Sequence, residues 1–215
     1  YLCKICKKKL QPHPEICPIC HRFSHDYRTC INCRTQKNNY LEGIIIPFVY
    51  DNLLKKLIMK LKYFHKTDIG GFLVERLAIA LQANQSFQKS KPWTLHSTLI
   101  TRIPTHRYRE YFVKGYNQSE LLARKLSEIT GIPRVKIAKK RKHTKTQASL
   151  NRESRLKNLK NIFSLIKNLQ LQGNEKILIV DDITTTGSTI NELAKLIKFH
   201  YPKIKIRWAV LWRHM

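Results

Sequence analysis

Two adjacent carboxylates, Asp181 and Asp182, end an apolar run and precede a cluster of hydroxyls around one glycine, in KILIVDDITTTGSTI. The segment reads as strand, turn and helix. In parallel α/β sheets, ligands gather at the carboxyl ends of strands. Thr184, Thr185, Thr186, Gly187, Ser188 and Thr189 bring backbone N–H groups and hydroxyls around one point at a helix N-terminus. The helix dipole and the unsatisfied donors make that point an anion site. Gly187 lets the backbone take positive φ and approach a phosphate closely. The two acids cannot hold that phosphate, but they suit the adjacent hydroxyls of a ribose or a divalent cation. An ordinary helix cap needs one such residue, not two acids, five hydroxyl residues and a glycine.

Six cysteines form the second constellation, all before residue 34: Cys3 and Cys6, Cys17 and Cys20, Cys30 and Cys33. Each pair is a C-x₂-C turn offering two thiolates on one side, and two such turns complete a tetrahedral Zn²⁺ site. Confinement to one short segment argues for metal in a reducing compartment rather than disulfides. Cys17, Cys20, Cys30 and Cys33 are the expected tetrad, with Cys3 and Cys6 as half of another. The first residue is Tyr, so upstream sequence carrying a further pair is expected to be missing. His13, His21 or His25 are the alternatives for a mixed site, and an iron–sulfur or redox pair is the minor alternative. His21 stands where such knuckles carry Gly, which predicts strain in that turn.

Two basic segments complete the set. The first, HRYREYFVKGYNQSE, offers Arg107, Arg109 and Lys114 to a polyanion such as pyrophosphate. Asn117 followed by Glu120 is also a capping-box start for a helix. The second, residues 134–160, holds eleven Lys or Arg against the single acid Glu153. A solvated basic loop is the plain explanation for such a run. Tyr63, Phe64 and His65 beside Lys60, Lys62 and Lys66 mix aromatic and basic side chains as a single-stranded nucleic-acid groove does.

IVDDITTTGST resembles the phosphoribosyl pyrophosphate (PRPP) signature of type I phosphoribosyltransferases. KGYNQSE (Lys114 to Glu120) resembles a signature of the ComF/ComFC competence family. Gln147, Leu150, Arg152, Arg155 and Asn158 match its spacing before an apolar strand, and the cysteine pairs are similar to the later pairs of its double zinc ribbon. The resemblance implies that Asp181 and Asp182 face the ribose hydroxyls and act in catalysis, while Thr184 to Thr189 hold the 5′-phosphate. It further implies that Thr105, Arg107 and Lys114 form the pyrophosphate loop, with Mg²⁺ on the pyrophosphate. The segment RKHTKTQASLNRESRLKNLKNIFSL then matches the family's flexible loop, which closes over the reaction.

These residues need elements to hold them. Ile44 to Tyr50 reads as a strand. Leu53, Leu54, Leu57, Ile58 and Leu61 recur at helical spacing, and a second helix is expected over Ile69 to Leu81. Ser97 to Ile103 reads as a strand and Asn117 to Thr130 as a helix closed by Gly131. Val135 to Ala138 reads as a short strand, Lys176 to Val180 as a buried one, Thr189 to Phe199 as a helix and Ile204 to Trp212 as a last strand. Strands alternating with helices predict a parallel sheet flanked by helices. The expected fold is therefore α/β, with a Cys-rich zinc-ribbon module at 1–40 before a phosphoribosyltransferase-like domain at 41–215.

The chain of 215 residues carries 41 Lys plus Arg against 14 Asp plus Glu, a net charge of +27. That surface attracts polyanions, nucleic acid first. No run is long and apolar enough for a membrane span, and no signal peptide is visible, so a soluble cytoplasmic protein is expected. Two functions follow: an enzyme transferring the phosphoribosyl group, or a non-catalytic nucleic-acid-binding adaptor of DNA uptake with a vestigial PRPP site. Single-stranded DNA and a DNA-uptake helicase are the expected partners beside PRPP or a nucleotide-like ligand.

Overall fold

Ile177 to Val180 is an unbroken apolar run, the mark of a strand covered on both faces. It lies within β5 (Lys176–Thr184), at the centre of a four-stranded sheet. The computed structural model describes residues 3–36, 38–63, 67–84, 97–105, 118–141, 162–184 and 186–213. Over them the chain runs through α1 (Lys4–Lys9), a 3-10 turn (His25–Tyr27), α2 (Ile31–Arg34), β1 (Gly43–Ile45), α3 (Asn52–Tyr63) and α4 (Thr67–Ala83). It continues through β2 (Thr98–Arg102), α5 (Gln118–Thr130), β3 (Ala138–Lys140), β4 (Phe163–Leu165), β5, α6 (Ser188–His200) and β6 (Lys205–Arg213). The main sheet has the order β1-β6-β5-β2, with every pairing parallel.

Side-chain alternation sends Leu178, Val180 and Ile100 to one face, where α3, α4 and α5 cover them with Leu54, Ile58, Leu73, Leu77 and Leu122. Ile177, Ile179, Ile206 and Trp208 face the other way. There they meet Ile190, Leu193 and Ile197 of α6, Phe163 of β4, and Ile16 and Leu41 from the Cys-rich segment. That segment has too little apolar material for its own core, and it joins the sheet's second core. Asp51 Oδ1 accepts from Leu54 N at 2.6 Å and caps α3. Gly131, at φ +71, closes α5 as expected, its N–H donating to Ser127 O at 2.9 Å.

Three differences from the expected elements stand out. The strand expected over Ile44 to Tyr50 pairs with β6 only as the short β1, Gly43–Ile45. β5 does not stop at Val180 but stays paired with β6 as far as Thr184↔Arg213, so both acids lie on the strand. The strand expected over Val135 to Ala138 is divided. Val135 N donates to Ile100 O at 2.8 Å beside β2, while β3 begins at Ala138 and pairs antiparallel with β4. At the other flank Arg28 bridges Gly43, and Thr29 N donates to Glu42 O at 3.0 Å, so both outer strands have a neighbour.

Candidate functional site

β2 and β5 are neighbours, with Arg102 opposite Val180 and Ile103 N donating to Val180 O at 3.2 Å. The segment leaving β2, which contains the half-buried Thr105, therefore starts beside the acidic pair. α5 closes the third side. Ser119, from the KGYNQSE segment, donates its hydroxyl to Asp181 Oδ1 at 2.7 Å. The same oxygen accepts from Asp182 N at 2.9 Å, and Asp182 Oδ1 accepts from Ile183 N at 2.8 Å. Asp182 is 9% exposed. Burial pushes Asp181 up to about 7, with the Asp182 charge second, while the Ser119 hydrogen bond pulls the other way. Glu120 reaches Arg102 Nε at 2.5 Å and also meets Arg134, tying α5 to the sheet end.

Beyond Thr184 the chain bends into α6. Gly187 has φ +71 and ψ 1 and stands as the N-cap. A Cβ there would lie 2.7 Å from the Trp208 ring. Conformation and packing therefore both exclude a side chain. Thr186 Oγ1 and Ser188 Oγ share a hydrogen bond at 2.7 Å, and Ser188 N donates to Thr186 Oγ1 at 3.4 Å. The bend opens on a cleft of about 300 Å³ lined by Thr186, Gly187, Ser188 and Asn191 and, from the Cys-rich segment, by Pro18 and Gln36. Neither acid lines this cleft.

Arg213, the last residue of β6, also lines it. Its side chain is buried, its Nη1 donates to Pro18 O, and its guanidinium lies 5.1 Å from the Trp208 ring centroid. Burial lowers Arg213 to about 10, opposed by the nearby Cys17.

Pro18 belongs to the metal candidate. The Sγ atoms of Cys17, Cys20, Cys30 and Cys33 all lie within 4.8 Å of one another, the one such His/Cys/Asp/Glu grouping among the described residues. Cys20 and Cys30 Sγ are 3.7 Å apart, close to the edge of a tetrahedron with bonds of about 2.3 Å to zinc. Ile19 N and Cys30 N point at Cys17 Sγ from 3.5 and 3.4 Å. Burial raises the Cys17 thiol, but backbone N–H donors outweigh it and bring the group down to about 7. Burial and shared thiol hydrogen bonds raise Cys33. Four crowded sulfurs of unequal acidity suit a cation that lets all of them ionise. His21 takes φ +63, the strain expected at that position.

Several expected residues do not enter these groups. Cys3 caps α1, its Sγ accepting from Cys6 N at 3.4 Å, and neither joins the tetrad. No histidine joins it either. Arg107, Lys114, Asn117, Thr185 and the basic segment 142–160 lie outside the described residues. The sequence did not point to Ser119, Trp208, Asn191 or Arg213. Only Ser119 carried a signal, lying inside the KGYNQSE segment.

The phosphoribosyl transferase domain matches residues 114–215 of the chain. Competence protein F of Haemophilus influenzae is 34% identical over 199 residues, covering 92% of this chain and 84% of that protein. DNA utilization protein YhgH of Escherichia coli K12 is 31% identical over 199 residues, covering 91% and 83%. A solved purine phosphoribosyltransferase from Pyrococcus horikoshii is 17% identical, with a TM-score of 0.38 over 66% of this chain and 83% of that one. Identity of this extent over about nine-tenths of the chain makes it a member of the ComF competence family, with a phosphoribosyltransferase-like fold.

Proposed function

We propose that the protein binds PRPP with Mg²⁺ at the junction of β5 and α6 and acts in the uptake of single-stranded DNA. One observation carries the ligand: Ser119 of one family signature is hydrogen-bonded to Asp181 of the other, so the two motifs meet side chain to side chain. In this function Asp181 and Asp182 orient the ribose hydroxyls, and Thr184 to Thr189 hold the 5′-phosphate. Thr105, Arg107 and Lys114 meet the pyrophosphate. Mg²⁺ would neutralise charge on the leaving pyrophosphate. An oxocarbenium-like transition state at the anomeric carbon would be served mainly by positioning and charge. The names of the relatives, a competence protein and a DNA utilization protein, support the role in DNA uptake. The net charge of +27 supports direct contact with DNA. Zn²⁺ is the metal proposed for the tetrad, with Cys3 and Cys6 as half of a second site. The Cys-rich module at 1–40 would dock an uptake helicase beside the domain at 41–215.

A second function has its own support. Asp181 is held by Ser119 and pushed up to about 7, so near neutral pH it is only partly ionised. That suits a non-catalytic nucleic-acid-binding adaptor with a vestigial PRPP site. Calorimetry with PRPP and Mg²⁺, together with an assay for pyrophosphate release, separates the two. Binding with slow release of pyrophosphate supports the enzyme, and binding without release supports the adaptor. No heat with wild type or Asp181→Asn would end the enzyme account. Asp181→Asn is expected to lower the affinity at least about tenfold, the loss of one charge-assisted hydrogen bond.

A further inference from the structure

Arg213 joins the two sites just described. It is 4% exposed, and no carboxylate among the described residues pairs with it. One of its N–H groups goes to Pro18 O, inside the knuckle between Cys17 and Cys20. Its guanidinium packs on Trp208, the ring that fills the space beneath Gly187. Its backbone is in register with Thr184, the last strand residue before the bend. A second contact runs alongside, Asn191 Nδ2 of α6 donating to Asn38 O at 3.0 Å. The cleft at the bend therefore has one wall of knuckle residues, Pro18 and Ile19, and one of bend residues, Thr186 and Ser188.

Charge gives these contacts a direction. Four thiolates around a dication leave the cluster with a net charge of about −2. A loaded tetrad thus supplies the anion that the buried Arg213 lacks among its described neighbours. An unloaded one leaves Arg213 with only carbonyl and ring contacts, a costly state for a buried charge. Outer-shell partners of this kind fix the geometry around a metal, and the effect works in both directions.

We propose that the cysteine tetrad and the phosphate bend are thermodynamically coupled, with Arg213 as the positioning residue, so that metal in the tetrad strengthens binding of a phosphomonoester at the bend. This rests on the assignment of the bend as the 5′-phosphate site. Coupling must be reciprocal: the ligand tightens the metal by the factor by which the metal tightens the ligand.

The test uses the full chain and ribose 5-phosphate. Its affinity is measured by calorimetry on zinc-loaded and chelator-stripped protein. Zinc affinity is measured by equilibrium competition with a chromophoric chelator, with and without saturating ribose 5-phosphate. The expected result is a change of about fivefold or more in both titrations, in the same sense. Equal zinc affinity with and without ligand overturns the coupling. Zinc-loaded protein that binds neither ribose 5-phosphate nor PRPP overturns the phosphate-site assignment and the coupling with it. Binding that ignores zinc overturns the coupling alone. Arg213→Met is expected to bring the coupling factor close to one while zinc still binds. Arg213→Lys keeps the charge without the planar fork and is expected to lose most of the factor. Full coupling in Arg213→Lys, or in Arg213→Met if it folds, removes Arg213 from the path.

Discussion

Asp181 carries two demands that pull against each other. Its ordinary value is 3.8, and the fold raises it to about 7 through burial and the neighbouring Asp182. Between those values the folded protein holds a proton that the unfolded chain releases. This group's contribution to stability therefore falls as pH rises from about 4 to about 7 and stays low above that. Asp181→Asn removes the effect. The variant is expected to melt higher than wild type at pH 8, by about 2–4 °C for each kcal/mol released, with little gain at pH 4. A thermal series across pH 4 to 8 checks this, and parallel melting curves for the two proteins would contradict it. Ligand binding runs the opposite way. The ionised carboxylate is the better acceptor for ribose hydroxyls, so PRPP affinity is expected to rise as pH passes through about 7 in wild type. Ser119 works with the charged form, its hydroxyl lowering Asp181. Ser119→Ala is expected to move the Asp181 midpoint upward, as read from its carboxyl carbon by NMR. An unchanged or lower midpoint counts against the hydrogen bond.

At the scale of elements, the β5–α6 junction is the most constrained stretch. Gly187 has both a left-handed φ and the Trp208 ring 2.7 Å from where a Cβ would stand. Gly187→Ala is expected to destabilise the fold by about 1–3 kcal/mol, the usual range for overpacking a full site, as measured by urea unfolding. A change below about 0.5 kcal/mol, the scatter of ordinary surface substitutions, would mean that the indole yields. At the tetrad, Cys30→Ser is expected to release the metal, and metal analysis checks it. A full zinc complement in that variant would point away from these four sulfurs. Much of this organisation was legible in the sequence. Leu54, Leu57, Ile58 and Leu61 repeat at helical spacing, and α3 follows them. Gly131 announces the end of α5, and the acid pair next to hydroxyls announces the bend. What escaped was partnership. Val135 and Ala138 read as one strand because alternation reveals a strand's faces but not its neighbour, and here β2 and β4 divide the segment. Arg213 meets Pro18 across 195 positions of chain, and Trp208 lies under a glycine more than twenty positions away. No local pattern carries such contacts.

For the molecule as a whole, charge is the dominant property. With 41 Lys plus Arg against 14 Asp plus Glu, binding to single-stranded DNA is expected to weaken about tenfold or more between about 50 and about 200 mM salt, as counterion release requires. Fluorescence anisotropy with a labelled oligothymidylate measures the slope. A flat response across that range would exclude phosphate contacts as the source of affinity. Among the described residues no helix is long and apolar enough to cross a membrane.

Backbone pairing with a partner has few places to form along the main sheet. The outermost strands of the main sheet are flanked, β1 by Arg28 and Thr29 and β2 by Pro133 to Val135. A recruiter that works by laying its own backbone along a bare strand, as many peptide-binding modules allow, meets hydrogen bonds already made at Glu42 and Ile100. At these two edges recognition falls to side chains rather than to backbone pairing.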